Sequence, residues 1–313
     1  MLVSMAYARN RKTLLATAAS FAVIGGLLLG IGKADPFYIA QEVETGTIET
    51  AQIVADSVAS GGQFVQFSGN TACDGSTDPD IMNGRTLAFC DDFTGTAVDT
   101  SVWSFRSSAE ADWSDTPFGT GNLGNKQLEF DQPANCTVNG GLLYMTAKRE
   151  SIQSQSGANY DWTSCMINTS PSYEFQYGYI EERSQLPAEK GFWPALWTWA
   201  KPGLIIPGNG ETDAYEYYSD NKNALYHTQH NPGGGGCTYD PPFDPSDGMH
   251  VYGVDIQPTG TTWYVDYVEV CSTPTTSGGL TNILVDNFVF ADVPPEPSTT
   301  AGEKIIDYVR AYQ

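Results

Sequence analysis

At 313 residues, 41% hydrophobic, 12% aromatic and 17% charged, the chain has the composition of one large globular domain with a core to bury. Asp and Glu number 37 against 15 Lys and Arg, giving a formal charge of −22 that repels polyanions. That balance argues against a nucleic-acid partner and favours neutral ones.

Residues 1–34 read as an export signal. Arg9, Arg11 and Lys12 precede an uncharged run from Thr13 to Gly32, and Gly32-Lys33-Ala34 supplies the small residues of a cleavage site. The run is long enough to span a bilayer, so an uncleaved anchor is the alternative, and the small-residue site favours cleavage. The leader holds four basic residues and no acid, so its removal takes the charge from −22 to −26. Either outcome places the domain outside the cytoplasm, secreted, extracellular or periplasmic. Residues 35–84 are rich in Thr, Ser, Gly, Ala and Asp, and are expected to form an extension that is loose or wraps the surface.

From residue 85 the chain is punctuated by turn formers such as Gly233 to Gly236, Asp240-Pro241-Pro242, Asp247-Gly248 and Pro294-Pro295. The runs between them are β-branched and aromatic, Trp263 to Val270 and Ile305 to Tyr312 being the clearest, and helical periodicity is nearly absent. An all-β sandwich or barrel over 85–313 follows. Cys73, Cys90, Cys136, Cys165, Cys237 and Cys271 are too scattered for a zinc site and make an even set suited to disulfides. Their connectivity stays open, with Cys73 and Cys90 the nearest sequence neighbours. Asn135-Cys136-Thr137 and Asn168-Thr169-Ser170 are glycosylation acceptors that matter only in a eukaryotic host.

Two stretches carry chemistry. In 177–200, "YGYIEERSQLPAEKGFWPALWTWA", a strand leads through Pro187 and Gly191 into four aromatics within eight residues, with Trp193, Trp197 and Trp199 of one parity. Such rings either fill a core or stack on the apolar faces of sugars. In "GNGETDAYEYYSD", from Gly208, a strand puts Glu211 and Asp213 on one face, and one bulged residue before Glu216 returns that acid to the same face. Three crowded carboxylates split their proton affinities, as acid/base chemistry requires. A calcium site or a solvated acidic face is the local alternative.

Taken in order, these motifs resemble glycoside hydrolase family 16, its laminarinase-like branch in particular. The Glu211-Thr212-Asp213-Ala214-Tyr215-Glu216 segment is similar to that branch's bulged ExDxxE strand, and "QYGYIEERSQLP" and "GFWPALW" to the two segments before it. "LAFCDDFTGTAVDTSVWSF", "GNKQLEF" and "VNGGLLYMTAKRE" resemble the opening strands; "HVYGVDIQPTGTTWYVD" and "KIIDYVRAYQ" resemble the closing ones. The likeness spans about residues 85–313. The resemblance implies an all-β jelly-roll sandwich of two antiparallel sheets, concanavalin A-like, with a concave substrate cleft.

It also implies an endo-acting, retaining hydrolase of β-1,3- or mixed β-1,3-1,4-glucan. Glu211 is then the nucleophile, Asp213 its helper and Glu216 the acid/base. Trp193 and Trp197 form a sugar-stacking wall, with Asn125 and His230 as further substrate contacts. No cofactor and no catalytic metal are expected, a structural calcium ion is admitted, and the partner is a neutral polysaccharide met by a monomer. The family strand usually has apolar residues where Thr212 and Ala214 stand, and Tyr215 occupies the bulge. Gln127 stands where laminarinases commonly show Glu, and Ile256 where many have Trp, which touches substrate choice more than reaction type. Other functions compatible with the motifs are a transglycosylase on the same glucans, a hydrolase of an algal galactan, and a glucan-binding lectin. The lectin would be expected to lack the paired glutamates, and a sulfated galactan would call for more cations than this acidic chain offers.

Overall fold

A computed structural model describes residues 51–55, 63–67, 73, 79–82, 84–105, 114–115, 118–119, 125–154, 157–201, 203–219 and 224–313. The export signal of 1–34 lies outside the described residues. The chain divides into two units, Met1–Ser68 and Gly69–Gln313. Within the first, Ala51–Ala55 and Gln63–Phe67 pair as an antiparallel hairpin, with Ala51 opposite Phe67.

Among the described residues, the regular structure of the second unit is strand apart from short 3-10 turns. Six strands form one sheet in the order Met166–Asn168, Thr281–Val289, Phe192–Ala200, Thr212–Glu216, Leu225–Gln229 and Gly236–Tyr239. Ten form the other, centred on Gly178–Gln185 between His250–Gln257 and Ala301–Tyr312. Pairing among these strands is antiparallel, except that Trp162–Ser164 runs parallel to Glu129–Asp131. The two sheets face each other across a core that joins Leu143, Met145, Ile180, Val254 and Ile306 of the larger sheet to Ile167, Leu196, Leu225, Ile283 and Val285 of the smaller. This is the all-β sandwich expected from residue 85 onward. Alternation sets the layers: Leu142–Lys148 and Gly260–Val265 bury every second residue toward this core.

The β-branched and aromatic run Trp263–Val270 folds back on itself. Gly260–Val265 and Val268–Thr273 are joined by Asp266 and Tyr267, both left-handed at φ 48° and 65°. Two such residues make the hairpin turn whose twist matches the strands, usually seen with Asn-Gly. Here the Asp266 carboxylate holds it, accepting from the Val251 N–H at 2.9 Å and meeting His250 Nδ1 at 2.8 Å.

Three disulfides tie the unit: Cys73–Cys90, Cys136–Cys165 and Cys237–Cys271. Both glycosylation acceptors are buried. Asn135 donates its amide to the Thr146 carbonyl and to Thr163, and Asn168 is fully enclosed, its side-chain oxygen accepting the Ser170 N–H. Ile256 lies in the inter-sheet core, which explains how an aliphatic residue is accommodated there.

Candidate active site

The acids sit on the outer side of the smaller sheet, away from the inter-sheet core. Glu211 follows the tight turn Pro207–Gly210, in which Gly208 and Asn209 are both left-handed. A Cβ on Gly208 would stand 2.6 Å from the His230 carbonyl, so glycine lets the turn press against that strand and bring His230 beside the acids. Along Thr212–Glu216, Asp213 lies opposite Trp197 and Glu216 opposite Ala195. Opposed residues share a face, so both acids project from the face that carries the tryptophans. The pairing needs one extra residue on the acid strand. Tyr215 was expected to fill the bulge; it pairs with Leu196, and Ala214 is the residue left without a partner on that side. Against the strand on the other side, the same irregularity falls between Asp213 and Glu216.

The carboxylates share one face, with Asp213 buried and Glu211 and Glu216 half-buried. Burial first, then the charge of Asp213, pushes Glu211 up to about 8, with His230 opposing. Asp213 is 3% exposed; burial and the neighbouring charge of Glu216 hold it well above the usual range. Burial also raises Glu216, against hydrogen bonds from Tyr218 and Trp193 that favour its ionised form. Those donors are the Tyr218 hydroxyl at 2.7 Å and Trp193 Nε1 at 3.0 Å, both on Oε1. Asp213 and Glu216 interact closely enough that they take up and release protons as one coupled pair.

Of the residues singled out from the sequence, the structure brings Glu211, Asp213, Glu216, Trp193 and His230 together. His230 Nε2 lies 2.8 Å from Asp213 and 3.9 Å from Glu211. Trp197 belongs to the same aromatic cluster but spends its indole N–H on the buried Asp286, at 2.6 Å. Asn125 is exposed, two residues before Gln127, which bridges to Phe290 at the rim of that cluster. Sequence reasoning missed Tyr218 and Asp286. Tyr218 carried a signal, since it lies two residues after Glu216 and so on its face. Asp286 carried none: its place opposite Ala195 depends on a strand pairing 91 positions away.

Glu211, Asp213 and His230 bring one donor atom each within 4.8 Å of one another. Mixed nitrogen and oxygen donors suit a borderline transition ion better than calcium, which takes six to eight oxygens.

A two-sheet jelly roll with paired glutamates and a third acid across one face, walled by tryptophans, is the architecture of the jelly-roll glycoside hydrolases. The chain belongs to glycosyl hydrolases family 16, whose model matches residues 106–283. It is 32% identical over 186 residues to endo-1,3-1,4-beta-glycanase ExsH of Rhizobium meliloti, covering 56% of this chain and 39% of that protein. A beta-glucanase of Rhodothermus marinus is 28% identical over 188 residues, 52% of this chain and 63% of its own. The chain thus spans about two fifths of the first relative's length. The laminarinase catalytic domain of Thermotoga maritima superposes with a TM-score of 0.64 at 25% identity, over 73% of this chain and 98% of that one. The endo-beta-1,3-glucanase of Pyrococcus furiosus shares the fold at a TM-score of 0.65.

Proposed function

We propose that the chain is an endo-acting, retaining glycoside hydrolase that cuts internal bonds of β-1,3- or mixed β-1,3-1,4-glucan. The observation that carries this is the strand bearing Glu211, Asp213 and Glu216 on one face, with Glu216 gripped by Trp193 and Tyr218. In the first step a Glu211 oxygen attacks the anomeric carbon, the glycosidic C–O bond breaks, and the Glu216 proton passes to the leaving oxygen. In the second, Glu216 takes a proton from water, whose oxygen attacks the same carbon and releases Glu211 as a carboxylate. Asp213, between the two glutamates, is their helper, and His230 at 2.8 Å orients it. The productive state, Glu211 ionised and Glu216 protonated, belongs to the cluster as a whole, so its pH limits are macroscopic ones.

Trp193 and Trp197 wall the cleft, with the more open Trp199, Tyr218 and Phe290 of the same cluster completing the sugar platform. Asn125 contacts the sugar from the exposed segment beside Phe290. Residues 85–313 constitute the catalytic domain, working as a monomer without a cofactor on a neutral polysaccharide, and the 1–34 leader directs it out of the cytoplasm.

The test is to incubate the protein and its Glu211→Gln variant with laminarin, lichenan, agarose and carrageenan, following reducing ends and product lengths. Shortened laminarin or lichenan from the parent and none from the variant is the expected result. Products longer than the substrate would indicate glycosyl transfer. Binding without cleavage by either protein would leave a lectin, and cleavage of carrageenan would overturn the glucan assignment.

A further inference from the structure

Beneath the acid strand, in the dry layer between the sheets, lies an ion pair that the chemistry above does not use. Lys304 and Glu182 are both fully buried, and Lys304 Nζ stands 3.0 Å from Glu182 Oε1. They belong to adjacent strands of the larger sheet, yet both reach across to the smaller one. Lys304 donates to the Ala195 carbonyl at 2.8 Å, and Ala195 is the residue paired with Glu216 on one side and with Asp286 on the other. Glu182 accepts the Tyr215 hydroxyl at 2.5 Å and the Ser184 hydroxyl at 2.7 Å. The ammonium also lies 5.2 Å from the centroid of the Tyr215 ring.

Tyr215 sits inside the bulge segment, between Asp213 and Glu216, and the carbonyls around it are also held by side chains. Trp263 Nε1 donates to the Asp213 carbonyl at 2.7 Å, and His227 Nδ1 meets the Ala214 carbonyl at 2.6 Å. A bulge disrupts the ladder and leaves backbone groups unpaired, and those groups must find partners when buried. Here the partners come from the core side. A slip of one residue turns every side chain to the opposite face, which would swing Tyr215 away from Glu182 and Glu216 away from the cleft together.

A buried ion pair adds little stability over apolar residues of the same volume, whereas a partly satisfied one is costly. We infer that Lys304 and Glu182, through Tyr215 and the Ala195 carbonyl, are positioning residues that hold the bulge in the one register that aims Glu216 at the substrate. The inference rests on Glu216 being the acid/base of the proposed hydrolysis. It separates two roles for the core under the site: filling space, which the surrounding aliphatic residues do, and fixing the acid strand, which falls to this pair.

The experiment compares the parent, Tyr215→Phe, and the double variant Lys304→Met with Glu182→Ala, which removes both charges of the pair together. Glu211→Gln is run alongside, on whichever of the four polysaccharides the parent cuts. Folding is followed by thermal unfolding, and kcat, KM and the pH profile of kcat/KM by reducing-end release. The expected result is a double variant that unfolds cooperatively, with kcat reduced about 10- to 100-fold, the cost of a displacement of about 1 Å, and KM little changed. Its pH profile should also be displaced, and Tyr215→Phe should move kcat the same way by a smaller factor. A folded double variant with the parent's kcat and pH profile would overturn the inference while an inactive Glu211→Gln leaves the hydrolase reading standing. An active Glu211→Gln would overturn both. If the double variant does not fold, Tyr215→Phe decides: parental kcat and pH profile overturn the inference, and a displaced profile with lowered kcat supports it.

Discussion

Glu216 takes two hydrogen bonds on one oxygen, from the Tyr218 hydroxyl and the Trp193 indole. Both stabilise its ionised form, which is the wrong form for protonating a leaving group and the right one for activating water afterwards. Removing the phenol in Tyr218→Phe should therefore raise the pKa of Glu216. An acid that must begin protonated sets the basic limb of kcat/KM, so that limb is expected to move to higher pH, with kcat reduced up to about 10-fold as a smaller share of Glu216 is ionised for the water-activating step. A profile unchanged in both limbs would show that the phenol does not govern Glu216. At this scale the sequence was most informative about the acids, because alternation and one bulge suffice to put three side chains on a face. It was least informative about who donates to them: the Trp193 contact depends on the register of one strand against another, which no local pattern reveals.

Strands carry the next level. The bulge itself was legible from spacing, since strict alternation would have hidden Glu216. Its exact residue was not, because Ala214 and Tyr215 both bury their side chains and only cross-strand pairing tells them apart. The hairpin at Asp266-Tyr267 was unreadable for a similar reason: it lacks glycine and depends on a carboxylate that captures a backbone N–H fifteen residues away. The short strand Glu129–Asp131 shows what such a pattern can conceal. Glu129 is fully buried, its Oε2 accepting the Val289 N–H at 2.6 Å, and burial pushes its carboxyl up to about 8. In the unfolded chain the same group titrates near about 4.3, so between those values the folded protein binds the extra proton. Stability from this group is thus full below about pH 4.3 and is lost as pH climbs through about 8. Thermal unfolding across pH 5 to 8 should show the midpoint falling in the parent and a shallower fall in Glu129→Gln. Equal slopes would remove Glu129 as the source.

For the molecule as a whole, turn punctuation and the lack of helical periodicity were enough to read an all-β sandwich or barrel, because those signals are local and repeat along the chain; the choice of a sandwich came from the family resemblance. Which cysteines pair was not, since bonding partners are chosen by the fold. Cys237–Cys271 links Gly236–Tyr239, at the end of the smaller sheet, to Val268–Thr273, at the end of the larger. Closing a loop of 34 residues contributes about 3 to 4 kcal/mol in the chain-entropy picture, so this bond clasps the sandwich at one edge. The enclosed Asn135 and Asn168 bear on how such a protein can be made. Their acceptor motifs exist for a glycosylating enzyme only while the chain is still unfolded, and a glycan added then would have no space to occupy once the sheets close. In a eukaryotic secretory host, folding and sugar addition become competitors, and intact-mass measurement should find bare chains in the active fraction and glycosylated ones only among aggregates. A bacterial host, in which nothing races the closing sandwich, is the better production system.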